Sequence, residues 1–533
     1  MPRPSADVRN LPRLSHLPFL ILILINLIIG LLTFQAYGAS WDEPGFYRYA
    51  SSIPYAYSLQ ARLSGQFQIE KAYGPPEQGN KMYGPAYLLI AGVLVKILTA
   101  VSQISWYPAW HLINFISFQM GVIFFYLLCL RWMSQKAAFA AALLFSTQPI
   151  LWGHAFINPK DIPFMSFFLA AIYLGFRSMD NLAKAQAGSP SRASRVAGLF
   201  MNMLPAGIAL GLLASIRMLG PFAGILIALY TLIKYKWKSL PNLVVMTVIA
   251  FLVNYLTWPY LWDNPFQRYL EVFQYMSENP VIVSVLFQGI FYRSNHLPAT
   301  YFPVMVSINF TEVVWLLFFT GLAALVWKKA YIKLDWQSLF PVLLWFLLPF
   351  LYVIISKPPL YDGIRHFLFI LPPIFIFTGF ALERLFAWLR KTWMQAILVI
   401  VMALPGVYGI FSLFPYEYTY YNILVGGTGG AFRRYETDFW LTCYKEALEQ
   451  IHKTQPDATE VYVLRNPDLA NEDVQGILAV EDYWPVRNQI PQESLVLLTT
   501  RFDDDLNVRY YESLLLSVGR KGADFCIVRQ IGE

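Results

Sequence analysis

The sequence predicts a mainly α-helical protein that crosses a membrane about eleven times and ends in a small α/β domain. Three observations predict it. Of the 533 residues, 57% are hydrophobic and only 14% are charged, whereas an ordinary soluble domain carries about 25% charged residues. The apolar residues gather in charge-poor blocks, most of them about 20 residues long, the length that spans a bilayer as a helix. Charge also divides along the chain: residues 416–533 carry a net −8 and the remainder +15. A soluble enzyme with one added anchor and a disordered chain are both excluded. The three cysteines exclude a disulfide framework. Cys129 falls in an apolar block, and whether Cys443 and Cys526 pair is left open.

The first block, 17–37, is too long for a cleaved signal segment, and no small-residue cleavage pattern follows it. Ten further blocks run over 108–130, 137–155, 162–176, 197–214, 219–233, 241–261, 301–327, 338–356, 366–389 and 393–415. The stretch 85–101 is apolar but carries Lys96. Positive charge on cytoplasmic loops decides its role. If 85–101 lies along the membrane surface, 18 Lys and Arg fall in short cytoplasmic stretches. These include Arg3, Arg9 and Arg13, then Lys184, Arg192 and Arg195, then Lys328, Lys329 and Lys333. If it crossed, every later basic loop would face outward. The expectation is therefore eleven spans, a surface-lying helix at 85–101, a cytoplasmic N-terminus and an extracytoplasmic domain over 416–533. The basic balance of 1–415 suits anchoring charges or anionic ligands, not nucleic acid. Segment 184–195 reads as a cytoplasmic loop by composition. In the tail, 440–453 reads as a helix and 460–465, 494–500 and 524–529 as strands.

With this orientation the unusual polar residues all face outward. The first outer loop opens on Trp41-Asp42-Glu43. The second holds His154 and Asn158-Pro159-Lys160-Asp161, and the third Ser215-Ile216-Arg217. The fourth contains His296, and the fifth runs Lys357 to His366 through Tyr361, Asp362 and Arg365. Ionisable groups at helix mouths are costly unless solvated, paired or used. Glu312, inside the eighth block, faces either a site or a wet cavity. Lys160, Arg217, Lys357 and Arg365 suit a phosphate. The carboxylates Asp42, Glu43 and Asp161 suit proton abstraction from a hydroxyl. His154, Asn158, His296, Tyr361, Asp362 and His366 are candidates to bind substrate. A phosphate reacting outside the cytoplasm would arrive on a lipid, and sugar transfer from a polyprenyl phosphate would use these groups directly.

The Trp41-Asp42-Glu43 opening, the Asn158-Pro-Lys-Asp161-Ile-Pro-Phe164 turn and the Tyr361–Phe369 segment resemble the bacterial branch of glycosyltransferase family 39. That branch is akin to protein O-mannosyltransferases and to the aminoarabinose transferase of lipid A. The resemblance covers about residues 15–415 and implies a GT-C fold with a surface helix in the first outer loop. It implies an inverting transfer from a polyprenyl-phosphate sugar to a protein, lipid or glycan hydroxyl at the plasma membrane. It maps the base onto Asp42, a second acid onto Asp161 and a phosphate contact onto Arg217. One departure bears on metals. Some relatives place an acidic ligand just before the Pro that opens the surface helix, but here the turn reads Lys81-Met82-Tyr83-Gly84-Pro85. A divalent metal would have to draw on Asp42, Glu43, Asp161 or His296, and no cofactor is assigned. The rival reading is a transporter of lipid-linked sugars. It predicts polar or broken helices near the midplane and repeated halves, and the chain has no evident internal repeat.

Overall fold

The computed structural model describes residues 16–74, 79–185, 192–278, 281–326, 335–474, 478–506 and 511–531. The basic residues Arg3, Arg9, Arg13, Lys328, Lys329 and Lys333 lie outside them, as do the side chains of Lys184, Arg192 and Arg195. Of the loop read at 184–195, residues 186–191 lie outside the described residues, and helices Asp161–Ala185 and Arg192–Ala214 flank that gap.

All eleven apolar blocks are helical over most of their described residues. Among the described residues, seven helical runs are long and apolar enough to cross a membrane, or nine if each of two bent pairs counts as one span. One of the seven, Pro221–Thr257, comprises two helices that break at Lys236–Ser239. The chain is a multi-pass membrane protein. Stretch 86–101 is a separate 16-residue apolar helix packed on Trp106–Cys129.

The two bends have local causes. Gln135–Ser146 meets Pro149–Ile157 at 63°. Pro149 has no N–H to continue the ladder, and Gln148 Nε2 instead donates to Leu144 O at 2.8 Å. Tyr301–Ile308 meets Glu312–Leu325 at 108°. The junction after the last span enters this break: Asn422 Nδ2 donates to Ser307 O and Phe310 O, each at 2.9 Å. Glu312 accepts from Ile423 N at 2.7 Å, so this carboxylate anchors the junction.

Two glycines let backbones meet closely. A Cβ on Gly153 would lie 2.3 Å from Tyr418 N, and one on Gly84 would lie 2.3 Å from Ser215 O. Any larger residue would push the junction off one helix, or the surface-helix turn off the Arg217 turn.

Strands β1 (Ser284–Phe287) and β2 (Ile290–Arg293) form a hairpin between helices Pro265–Glu278 and Tyr301–Ile308. Residues 418–440 pack mainly on the helical core through Tyr418, Tyr421, Tyr435, Phe439 and Trp440. A five-stranded sheet follows: β3 (Glu460–Val463), β4 (Ala479–Asp482), β5 (Leu495–Thr499), β6 (Tyr511–Arg520) and β7 (Ala523–Ile531), in the order β4-β3-β5-β7-β6. Strand β3 pairs in parallel with both β4 and β5. The chain therefore reverses its winding direction at β3, and the ends of β3 and β5 flank a switch-point crevice, where open α/β sheets tend to bind ligands. Helix Cys443–Thr454 covers the sheet through Ala447, Leu448 and Ile451. Cys443 and Cys526 form a disulfide between that helix and β7.

Candidate active site

The site is built from four turns of the helical unit and two loops of the sheet unit. In the first turn, Glu43 accepts from Ser40 N at 2.6 Å while its own N donates to Ser40 O at 3.0 Å. Ser40 and Glu43 thus close on each other through one side-chain and one backbone hydrogen bond, just ahead of helix Glu43–Ser52. Ser40 Oγ donates to Ile157 O at 2.8 Å, which ties the turn to the end of helix Pro149–Ile157, next to the Asn158–Asp161 turn. Glu43 is fully buried, accepts from Tyr47 OH and lies 3.1 Å from His111 Nε2. It is therefore turned away from its neighbour Asp42, which lines an open cavity.

The second turn is shaped by Asn158. Its Oδ1 accepts from the backbone N of Lys160 at 3.2 Å and of Asp161 at 2.8 Å, which starts helix Asp161–Ala185. Asn158 Nδ2 donates to Asp161 Oδ2 at 2.9 Å, and the other oxygen of Asp161 pairs with Arg217. Lys160 points the other way. Its Nζ lies 3.4 Å from Asp42 Oδ2 and over the rings of Phe46 and Tyr83, 4.6 and 4.8 Å from their centroids.

The loop from Lys357 to His366 supplies the second cation. Asp362 and Gly363 both have left-handed backbone, φ +57° and +67°. The Arg365 that follows places Nη1 2.7 Å from Asp42 Oδ2 and Nη2 2.8 Å from Asp362 Oδ2. Its guanidinium stacks 4.6 Å from the Trp440 ring. Arg365 Nε is buried with no hydrogen-bond partner among the described residues. Burial alone would raise the Asp42 carboxyl, but Arg365 and Lys160 outweigh it and hold it well below the usual carboxylate range. Asp42 is therefore ionised. Beside Asp362, burial and the Asp362 charge push Glu436 up to about 8.

These groups open onto a cavity of about 860 Å³, lined by Trp41, Asp42, Phe46, Lys160, Tyr361 and Arg365 from the helical unit. Arg465, Asn466, Arg501 and Phe502 line its other wall. They follow β3 and β5, at the switch point described above. Sequence reasoning did not single them out. The available signal was the charge-dense Arg501-Phe-Asp-Asp-Asp505 run directly after an apolar strand.

Of the residues singled out from sequence, Asp42, Lys160, Tyr361, Asp362 and Arg365 line the cavity. Asp161, Arg217 and Asn158 form the layer behind Lys160. His154 is buried, with its ring centroid 6.1 Å from that of Phe439 and 6.2 Å from that of Trp440. His366 stands edge-on to Tyr361 at 4.8 Å. Three of the residues expected at the site stand away from the cavity. Glu43 is a buried tether of the turn rather than a second acid at the cavity, because its carboxylate is consumed by Ser40 N, Tyr47 and His111. Lys357 ends helix Trp336–Ser356 in left-handed backbone, φ +45°, with its side chain in solvent. His296 is exposed after the β1–β2 hairpin, 2.7 Å from Asn295 Oδ1. Neither Lys357 nor His296 lines the cavity.

A divalent metal on Asp42, Glu43, Asp161 and His296 does not fit this geometry, since Asp42 and Asp161 are each satisfied by cations, Glu43 is turned inward and His296 is remote. Among the described residues, the one cluster of three ligand-type side chains is Asp438, Cys443 and Cys526, and its sulfurs are joined to each other.

No protein-family model matches the chain, and no curated protein matches it in sequence. Solved structures do match. ArnT from Cupriavidus metallidurans bound to undecaprenyl phosphate superposes with a TM-score of 0.50 and 15% identity, over 96% of this chain and 98% of that one. The Archaeoglobus fulgidus oligosaccharyltransferase in its apo form gives a TM-score of 0.51 and 12% identity, over 87% of this chain and 64% of that one. At these identities the likeness is one of fold, and the GT-C fold expected from the sequence is the fold of this chain.

Proposed function

We propose that this chain is an inverting glycosyltransferase that moves a sugar from a polyprenyl-phosphate donor to a hydroxyl acceptor on the outer face of the plasma membrane. The single observation carrying this reading is an ionised Asp42 held between Lys160 and Arg365 on an 860 Å³ cavity. The fold likeness to an ArnT bound to undecaprenyl phosphate supports the lipid carrier.

The chemistry follows from charge. The donor phosphate docks against Lys160 and Arg365, the two cations on Asp42. Sharing these cations weakens their hold on Asp42, whose pKa then rises toward that of a useful base. The acceptor hydroxyl attacks the anomeric carbon from the face opposite the phosphate and gives its proton to Asp42. The bond from that carbon to the phosphate oxygen breaks, and its electron pair leaves on the lipid phosphate. The same two cations stabilise the charge that develops there. Asp161 and Arg217 hold the turn that carries Lys160. One displacement inverts the configuration.

We further propose a membrane unit over 1–415 and an extracytoplasmic unit over 416–533, with the N-terminus in the cytoplasm. The Cys443–Cys526 disulfide supports this orientation, because such bonds persist outside the reducing cytoplasm. Helix Ala86–Val101 is the surface-lying helix in this scheme.

The test offers purified protein a panel of undecaprenyl-phosphate sugars together with mixed lipid, glycan and peptide hydroxyl acceptors. The expected result is selective binding and turnover of one donor, with free undecaprenyl phosphate as a product. Binding without bond cleavage would favour a transporter of such lipids.

A further inference from the structure

The sheet unit touches the reacting centre through one unbroken chain of charges. Asp42 Oδ2 meets Arg365 Nη1 at 2.7 Å, Arg365 Nη2 meets Asp362 Oδ2 at 2.8 Å, and Asp362 Oδ1 meets Arg501 Nη2 at 2.7 Å. The last three are all buried: their side chains are 3%, 7% and 8% exposed. Arg501 also donates to Phe439 O, one residue before the Trp440 that stacks on Arg365. Its guanidinium is held between the rings of Trp41 and Phe502, at 5.2 and 4.7 Å. Trp41 in turn donates its backbone N to Trp440 O at 3.0 Å.

The backbone at this contact is under constraint on both sides. Asp362 has φ +57°, and Phe502 and Asp503 have φ +60° and +55°. Non-glycine residues in left-handed backbone cost free energy and persist where surrounding contacts impose them, commonly at functional sites. A sheet unit that merely covered the bundle would not need two such turns to meet through one ion pair.

We propose that Arg501 is a positioning residue for Asp42, acting through Asp362 and Arg365, so that docking of the sheet unit sets how much of the Arg365 charge a lipid phosphate can claim. With Arg501 in place, Asp362 is neutralised from the sheet side and holds Arg365 without monopolising it. Without Arg501, the Asp362 carboxylate has Arg365 as its remaining ion-pair partner in a poorly screened site. The phosphate then competes with a second full negative charge. The other nearby acid, Glu436, adds little to that competition while it remains protonated.

This inference rests on the donor reading above, and the experiment separates the two. Full-length wild type, Arg501→Gln and Arg501→Lys are placed in lipid nanodiscs and titrated with undecaprenyl phosphate. Thermal unfolding is followed in parallel. The expected result is about tenfold weaker binding for Arg501→Gln, with Arg501→Lys within about threefold of wild type. Unfolding midpoints should not track this order, because the lysine loses the stacking and the bond to Phe439 yet keeps the charge on Asp362. Equal affinity of wild type and Arg501→Gln overturns the relay alone. So does a loss of affinity in both variants that follows their unfolding midpoints. Failure of wild type to bind undecaprenyl phosphate overturns the donor reading and the relay with it.

Discussion

Asp42→Asn leaves the fold and the lipid-phosphate site in place and lowers sugar transfer by about 10²–10⁴-fold, the usual worth of a positioned general base. The amide keeps the size of the carboxylate but cannot accept the acceptor proton. It also removes the anion that Lys160 and Arg365 hold in the unliganded protein. The two cations are then free before the donor arrives. Undecaprenyl phosphate should therefore bind the variant at least as tightly as it binds wild type. The combination of lost turnover and kept or strengthened phosphate binding is the signature, measured by transfer assay and lipid titration on one preparation. A variant that transfers sugar at the wild-type rate would remove Asp42 from the chemistry.

Arg365→Ala has the largest expected effect on stability as well as on binding. The change leaves Asp362 facing Arg501 alone and Asp42 facing Lys160 alone, and it empties the space beneath Trp440. Removing one partner of a buried charge pair costs about 3–5 kcal/mol. Loss of lipid-phosphate binding should accompany the lowered unfolding midpoint. The pH dependence has a fixed sign. The folded protein holds Asp42 below the usual carboxylate range. Its pairing therefore stabilises the fold above that range and is lost as pH falls through the lowered pKa. In Arg365→Ala this acid-side contribution shrinks, so wild type and variant should converge in stability toward low pH. Parallel stability curves down to acid pH would show that Arg365 is held by packing and not by its charges.

The parts of this molecule that a sequence can show are those carried by local pattern. Charge-poor apolar blocks gave helices at every expected position, because burial in lipid leaves a compositional mark about 20 residues long. The site was partly legible for a related reason. Asp42, Lys160 and Arg365 are charges at helix mouths in an otherwise charge-poor unit, and they meet in one place. Which way such a side chain points was not legible. Asp42 and Glu43 are adjacent and chemically alike, yet the Ser40 backbone pins one inward and leaves the other on the cavity. Lys357 and His296 lie in loops but point away from the cavity, since nothing in a loop's composition records which side faces it. Arg501 was missed because its contact with Asp362 joins residues 139 positions apart across two units. Strands β4 and β6 were missed as well. Ala-Val-Glu-Asp over β4 has little apolar alternation, and β6 pairs with β7 through three register irregularities that blur the period-two pattern.

The most direct test of the central claim is an experimental structure of the full chain with undecaprenyl phosphate bound. The account predicts the phosphate within hydrogen-bond reach of both Lys160 Nζ and Arg365, with the Asp42 carboxylate released toward the cavity. A phosphate seated elsewhere, with Lys160 and Arg365 still closed on Asp42, would contradict it.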